Sequence, residues 1–356
     1  MLVWLLLAVK ISSCPVPVFR YALERWPADP YRMTIFHRGA LSAAQSNAVD
    51  AARNAGENGV VNLTVSLVDV DGQLDETTKA FWKAQEKPEL PWAVVQYPVA
   101  TSLEQSFEKG TLDAEFMKQL LDSPVRREVC KRILHGDSIV WLVLESGDKK
   151  RDDEAVGMLQ TEFDKLVQIL KIPPVDPNDP RSEVNVTLKI VFSVVRLSRS
   201  NPAEKYLVNQ LVNIQPSFVD ARVPVVFPVF GRGRALCGLT ADELTADNVD
   251  DVAAFLTGAC SCEVKSMNPG VDLLLTADWD GLLEGRVVEE PEMPPLVSLS
   301  QLASEARPVV KVGENPVRLV PQPTAARLMR NLIIVIGLCV FAAVVGTIVL
   351  RGRDKR

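Results

Sequence analysis

Histidine is scarce in this chain of 356 residues, and basic residues are fewer than acidic ones. The 39 lysines and arginines are outnumbered by 45 aspartates and glutamates, and the net charge of −6 argues against a general nucleic-acid-binding protein. Neither His37 nor His135 has a serine, cysteine or carboxylate at a motif spacing, so the sequence does not indicate a hydrolase triad. With 47% apolar and 24% charged residues, the composition excludes a disordered or fibrous protein.

An uncharged apolar run lies near the end of the chain. Residues 332–350 are nineteen residues without a charge, and at 1.5 Å rise per residue such a helix spans a bilayer core of roughly 30 Å. The basic residues that follow mark the cytoplasmic side of a membrane. We therefore predict a transmembrane helix at 331–350, a basic cytoplasmic tail at 351–356 and a protein body on the opposite side.

A short apolar segment at the beginning of the chain indicates an exported protein. Residues 2–9 are apolar and too short to span a bilayer, which is typical of a signal-peptide core. The sequence Ile-Ser-Ser-Cys at 11–14 resembles a bacterial lipobox, so residues 1–14 are a signal peptide or a lipoprotein signal and Cys14 is a candidate for lipidation. Cleavage without a lipid and retention of the segment are the alternatives. A lipid beside a transmembrane helix would be a redundant anchor.

Strand and helix patterns alternate through the body of the chain, which favours an α/β layer architecture with two tandem domains. A proline-rich linker separates them, and a segment rich in proline, valine and glutamate is predicted to form an extended stalk before the membrane. The predicted ranges are 15–171 for the first domain, 172–185 for the linker, 186–284 for the second domain and 285–330 for the stalk. The predicted strands are 31–37, 60–70, 92–97, 139–144, 186–197, 223–230 and 271–276.

The order of these elements is similar to that of the thioredoxin fold. Leu90-Pro91-Trp92 places a proline just before a strand, and the 139–144 strand leads into a long helix at 152–171. The resemblance covers residues 31–171 and, less closely, 186–283. It implies that the first domain, and possibly the second, is thioredoxin-like and that Pro91 is the counterpart of the family's cis-proline. Other doubly wound folds, including flavodoxin-like ones, stay open for either half.

Both halves depart from the thioredoxin pattern at the redox centre. Thioredoxins carry Cys-x-x-Cys directly after the first strand, whereas residues 37–41 here read His-Arg-Gly-Ala-Leu. The second half reads Phe-Gly-Arg-Gly-Arg at 230–234, again without cysteine. The resemblance therefore implies a thioredoxin-like protein without the family's redox centre. His37 is a candidate functional residue because it stands where that centre would begin, whereas His135 ends a helix and is expected to contact its negative terminus.

Two cysteines separated by a single residue are the most specific chemical signal in the sequence. Cys260 and Cys262 could close a strained, oxidising disulfide or bind a soft metal ion such as Cu(I). Two thiolates are incomplete for zinc. Alternatively, one of them pairs with Cys237, or both are small packing residues. Cys130 follows the apolar spacing of its helix and is expected in the core.

The sequence Gly-Arg-Gly-Arg at 231–234 could offer backbone amides and two guanidinium groups to an anion or to a carboxylate of a partner. Arg232 and Arg234 are the candidate binding residues. In the alternative reading the glycines allow a turn and the arginines are solvated.

Two further features lie closer to the end of the second domain. The sequence Asn-Pro-Gly at 268–270 is a turn signal. Trp279, which stands among aspartates, is either an exposed docking residue or a buried one.

We predict a single-pass membrane protein whose bulk is extracytoplasmic, in the periplasm, and which is a non-catalytic binding or assembly module of the cell envelope. It would contact the bilayer through 332–350 and other envelope or membrane proteins through its body. No cofactor, metal or nucleic acid is expected. One alternative is a thiol-disulfide exchange or copper-handling protein that uses Cys260 and Cys262. Another is an envelope enzyme whose catalytic residues are scattered through the chain.

Overall fold

A computed structural model describes residues 14–86, 88–173, 189–260 and 264–283. Within these residues no helix is both long and apolar enough to cross a membrane. The predicted transmembrane helix at 331–350, the stalk at 285–330 and most of the signal segment and linker lie outside the described residues. The described residues belong to one compact unit with a mixed α/β architecture.

The elements alternate along the chain as expected for an α/β protein. The strands are β1 (Cys14–Pro17), β2 (Tyr31–His37), β3 (Leu63–Asp69), β4 (Trp92–Gln96), β5 (Ser106–Thr111), β6 (Ile139–Leu144), β7 (Phe192–Leu197), β8 (Val225–Phe230), β9 (Arg234–Ala235), β10 (Ala259–Cys260) and β11 (Val271–Asp272). The helices are α1 (Val18–Arg25), α2 (Ala43–Glu57), α3 (Glu76–Lys83), α4 (Ala114–Leu121), α5 (Pro124–Leu134), α6 (Lys149–Ile169), α7 (Lys205–Val212), α8 (Pro216–Val219), α9 (Ala246–Thr257) and α10 (Trp279–Leu283).

The first sheet has the strand order β3-β2-β4-β5. Strand β2 runs parallel to β3 and antiparallel to β4, and β4 runs antiparallel to β5. Helices α2 and α4 pack on one face and build a hydrophobic core with the inward side chains of β2 and β4. The Leu90–Pro91 peptide bond directly before β4 is cis.

Local sequence determines where helix α2 begins, and a close contact with β3 lies near its end. Ser42 and Gln45 form a capping box, in which the Gln45 N–H donates to Ser42 Oγ at 3.3 Å and the Ser42 N–H donates to Gln45 Oε1 at 2.9 Å. Near its other end α2 comes close to β3. A Cβ atom at Gly56 would lie 2.1 Å from the Leu63 carbonyl oxygen, so this contact requires glycine.

The second sheet has the strand order β11-β9-β8-β6-β7. All six residues of β6 are buried, and β6 pairs parallel with β7 and antiparallel with β8. The bounds predicted for this strand are confirmed, but its placement in the first domain is corrected, since both of its partners follow the proline-rich segment. A strand buried on both faces needs a neighbour on each side, and sequence shows the burial without showing the partners. The border between the two sheets therefore precedes β6 and does not fall at 172–185.

The two halves exchange their outermost segments. The N-terminal residues Val16, Phe19 and Ala22 of β1 and α1 pack into the core of the second sheet, together with α6 and α9. In return, the segment after β11 crosses to the first sheet, where Leu274 joins the core and the Ala277 N–H donates to the Val60 carbonyl at 2.7 Å. The two sheets are consequently tied together at both ends of the described chain.

Candidate functional site

Four charged side chains meet where the exchanged segments cross. Arg234 Nη1 lies 2.9 Å from Asp272 Oδ1, and Lys265 Nζ contacts both Asp272 and Asp29, the latter at 3.0 Å. The Asp29 N–H also donates to Asp272 Oδ2 at 2.6 Å. Asp272 is the most buried member, with 3% of its side chain exposed, so the two cations balance its charge in a largely water-free environment. We call Asp29, Arg234, Lys265 and Asp272 the charge cluster.

Backbone pairing holds the charge cluster in register. Strands β9 and β11 are antiparallel, and their register places Asp272 directly opposite Arg234. The Arg234 guanidinium also donates to the carbonyls of Pro269 at 3.0 Å and Asn268 at 2.9 Å. Gly270, with a φ of +117°, completes this turn, because a Cβ atom there would lie 2.6 Å from the Ala235 carbonyl oxygen.

The neighbouring Arg232 closes the end of helix α1. Its Nε donates to the Leu23 carbonyl at 2.9 Å, and its Nη2 lies 2.7 Å from Asp280 Oδ1. A cation at the last carbonyls of a helix is favourable. The structure thus places both predicted anion-binding arginines in contacts within the protein, and neither is a solvated side chain as the alternative reading expected. Anion binding by these guanidinium groups would require those contacts to break.

A small pocket lies beside the charge cluster. Its lining includes Trp26, Arg232, Lys265 and Asp272, and the space open to a water-sized molecule is about 10 Å³. That is room for roughly one water. The pocket is consequently too small for an organic substrate in this conformation.

A chain of hydrogen bonds joins the charge cluster to the first sheet. The Tyr31 hydroxyl donates to the Asp272 carbonyl at 2.6 Å, Gln210 donates to Tyr31, and Tyr97 donates to the Gln210 carbonyl. Burial raises the pKa of Tyr31 and of Tyr97 above the ordinary value of 10.0. Both phenols therefore keep their protons at neutral pH and remain hydrogen-bond donors.

The cysteines occupy three different environments. Cys130 and Cys237 are free thiols, and burial raises the pKa of Cys130 to about 12 and the pKa of Cys237 to about 11. Thiols with such pKa values are poor nucleophiles at neutral pH, and the core position expected for Cys130 is confirmed. Cys260 is buried in β10. Cys262 lies outside the described residues, so the use of Cys260 and Cys262 as a redox or copper pair stays a prediction.

The two histidines make simple local contacts. His37 Nδ1 lies 2.8 Å from the Gly39 carbonyl oxygen at the exposed end of β2. His135 Nδ1 lies 2.6 Å from the Lys131 carbonyl oxygen, which confirms the contact expected at the end of its helix. Across the described ranges, no three side chains of the His, Cys, Asp and Glu types form a group suited to a metal ion.

Sequence reasoning missed the two carboxylates of the charge cluster. Asp29 and Asp272 are 243 residues apart, and no local pattern relates them. One signal was present, because Asp272 interrupts the apolar run of residues 271–275, and a carboxylate within a buried strand needs a partner. Trp279 is buried with 5% exposure, which settles its two alternatives in favour of the core.

Comparison with known proteins finds only weakly similar structures. No protein-family model and no curated protein matches this chain. The first two thioredoxin domains of Eps1p from Naumovozyma dairenensis match at 12% identity over 64% of this chain and 91% of that chain, with a TM-score of 0.20. The corresponding domains from Saccharomyces cerevisiae match at 13% identity over 64% and 92%, also with a TM-score of 0.20. The mixed α/β chain thus has thioredoxin domains among its weakly similar structural neighbours.

Proposed function

We propose that this chain is a membrane-anchored, extracytoplasmic binding module built from two thioredoxin-like halves. Two observations support the thioredoxin-like halves. The parallel pair β2–β3 is followed by the antiparallel strands β4 and β5, and the parallel pair β6–β7 is followed by the antiparallel strands β8 and β9. The 332–350 apolar run and its basic flank support the membrane anchor.

The outer edge of β3 is the observation that carries the binding function. The Tyr31 N–H donates to the Asn62 carbonyl at 2.8 Å, so in this parallel ladder the even-numbered residues of β3 face β2. Val65 and Leu67 therefore direct their backbone N–H and C=O groups away from the sheet. In the described part of the chain, pairing on this side ends where Thr276 bridges Val61, just before β3.

The two other long edge strands, β5 and β7, are protected by a neighbouring helix or by charges along the edge. At β5, Glu108 accepts a hydrogen bond from Asn209 of α7 at 2.7 Å, so this edge is next to a helix. At β7, Arg196 pairs with Glu145 and Asp153, which puts charges on that edge. Charges and covering elements are the usual protection against strand addition. In contrast, β3 carries a charge only at its last residue, Asp69, and its sequence from 63 to 68 is Leu-Thr-Val-Ser-Leu-Val, without charge, proline or glycine.

A protein partner with an extended segment fits such an edge. Backbone hydrogen bonds supply affinity in strand addition, and side chains at alternate positions supply specificity. Leu67 is 40% exposed on the face that leads into the core of the first sheet, so an apolar residue of the added strand would pack there. We therefore expect the partner to present an extended segment with apolar residues at alternate positions.

The test purifies the full-length protein from its own membranes with any bound partner. Leu67→Lys puts a charge on the edge and is expected to lower the amount of the main co-purifying protein by about tenfold. Val99→Lys is the matched control, because Val99 is 75% exposed in a turn away from β3. The identified partner is then purified and its affinity for both variants is measured. Equal affinities for Leu67→Lys, Val99→Lys and wild type would exclude the β3 edge as the binding site.

A further inference from the structure

The first sheet turns one of its faces away from the core that it builds with α2 and α4. We call this the outer face. The strand registers put on it Arg32, Thr34 and Phe36 of β2, Thr64, Ser66 and Val68 of β3, Trp92, Val94 and Gln96 of β4, and Ser106, Lys109 and Thr111 of β5. Phe81 and Trp82 of α3 pack against Phe36 at one end of this face. Next to the free edge, the hydroxyl side chains of Thr64 and Ser66 are exposed.

The outer face carries positive charge and no carboxylate. Its two charged side chains are Arg32 and Lys109, and within the described ranges neither forms an ion pair or a side-chain hydrogen bond. Arg32 Nε is shielded from water and has no hydrogen-bond partner. The guanidinium group therefore lacks the compensation that a carboxylate gives, in a chain whose net charge is −6.

A strand added to β3 would lie beside this face, so the inference that follows rests on the function proposed for the β3 edge. Side chains of an added strand alternate between the two faces of the sheet. One half lies next to Leu67, and the other half lies next to Thr64 and Ser66 on the outer face.

The two cations lie at different distances from the added strand. The register places Arg32 opposite Thr64, so the added strand is two strand spacings, or about 10 Å, from β2. The long side chains of arginine and glutamate can meet across this distance. Lys109 stands on β5, four spacings or about 19 Å away, and is out of reach.

We propose that the partner segment of β3 carries acidic residues on the side of Arg32, alternating with the apolar residues that pack next to Leu67. Opposite charges on neighbouring strands stabilise a sheet and like charges destabilise it. The hydroxyls of Thr64 and Ser66 can donate hydrogen bonds to the same carboxylates. A lysine at these positions would face Arg32 with no carboxylate nearby, so the outer face selects acidic segments over basic ones.

Two synthetic peptides of about ten residues, the length of a long strand, are the probes. Valine alternates with glutamate in one and with lysine in the other. Fluorescence anisotropy measures the affinity of each labelled peptide for the full-length protein in detergent. We expect the glutamate peptide to bind about fivefold more tightly, which is the preference that a partly exposed ion pair provides.

Three variants locate the source of this preference. Arg32→Glu is expected to reverse it. Lys109→Glu makes the same change of charge on the same face but lies beyond the screening length of about 8 Å at physiological ionic strength, so the wild-type preference should remain. Val65→Pro removes an N–H group that points away from the sheet and adds no charge, and it should weaken both peptides about tenfold.

The outcomes separate this proposal from the proposed function. Equal affinities of the two peptides for the wild type, or a preference that Arg32→Glu does not change, would overturn the acidic selection. The β3 edge would still stand as a binding site if Val65→Pro weakened both peptides. A preference that depends on Arg32 but is insensitive to Val65→Pro would show that anions bind the outer face without strand addition, and would overturn the proposal. Absence of binding by either peptide would also overturn it, whereas co-purification of a partner tests the edge independently.

Discussion

At the scale of single residues, Asp272 contacts groups from several distant parts of the chain, and no local sequence pattern predicts these contacts. Its carboxylate contacts Arg234 and Lys265, and its carbonyl accepts the Tyr31 hydroxyl bond. Both cations are themselves largely buried, with 8% and 15% of their side chains exposed. Together with Asp29, Asp272 therefore compensates two buried positive charges at the junction of the two halves.

Asp272→Asn is expected to destabilise the protein by about 3 kcal/mol, because it keeps the shape of the side chain but leaves Arg234 and Lys265 with less negative charge. Denaturant unfolding measures the change. Asp280→Asn is the control, since Asp280 pairs with Arg232 while 74% of its side chain is exposed, and it should cost less than about 1 kcal/mol. Equal losses for the two variants would show that burial of the charge cluster is not important.

At the scale of elements, local sequence signals determine where helices begin. Ser42 accepts from the third residue of α2, and the same type of cap occurs at Ser123, before Pro124 opens α5. Such caps act within one turn and do not depend on the rest of the fold. Their energetic effect should therefore be measurable by single substitutions at exposed positions.

Ser42→Ala is expected to lower the free energy of unfolding by about 1 kcal/mol, because it leaves the first N–H groups of α2 without their side-chain acceptor. Ser46→Ala makes the same chemical change inside the helix. There alanine is the better helix former, so the variant should be unchanged or slightly more stable. A loss at Ser46 as large as that at Ser42 would mean that the capping box contributes little.

The difference between local signals and contacts of distant residues explains how much of the fold the sequence predicts. The bounds of β2 and β6 follow from local strand patterns and apolar runs, and the structure confirms both. The pairing of β6 with β7 and β8 depends on residues far along the chain, which no local signal specifies. For the same reason Arg234 was recognised as a candidate, whereas its partners Asp29 and Asp272 were not.

At the scale of the whole molecule, the exchange of segments makes the two sheets one cooperative unit. The core of the second sheet contains Phe19 from the beginning of the described chain, and the core of the first sheet contains Leu274 from near its end. Neither half keeps a complete core when the other unfolds, so opening one exposes apolar surface in both.

Hydrogen exchange in increasing denaturant is expected to give the same opening free energy for backbone amides of Ile35 in β2 and Leu142 in β6. Both residues are fully buried, each in a different sheet. Amides of α3, which has no buried residue, should open at lower free energy and serve as the internal reference. Clearly different values for Ile35 and Leu142 would show that the two sheets open separately.

The exchange of segments also sets the order in which the protein can be completed during synthesis. Asp29 leaves the ribosome early, whereas Asp272 is made 243 residues later. The first sheet can pair its strands while the chain grows, but the edge next to Val60 is covered when the segment containing Ala277 arrives. Contacts between residues so far apart in the sequence form slowly, because closing the long intervening loop costs entropy. The growing chain therefore remains incompletely folded, with apolar surface open to aggregation, until almost the entire body has been synthesised.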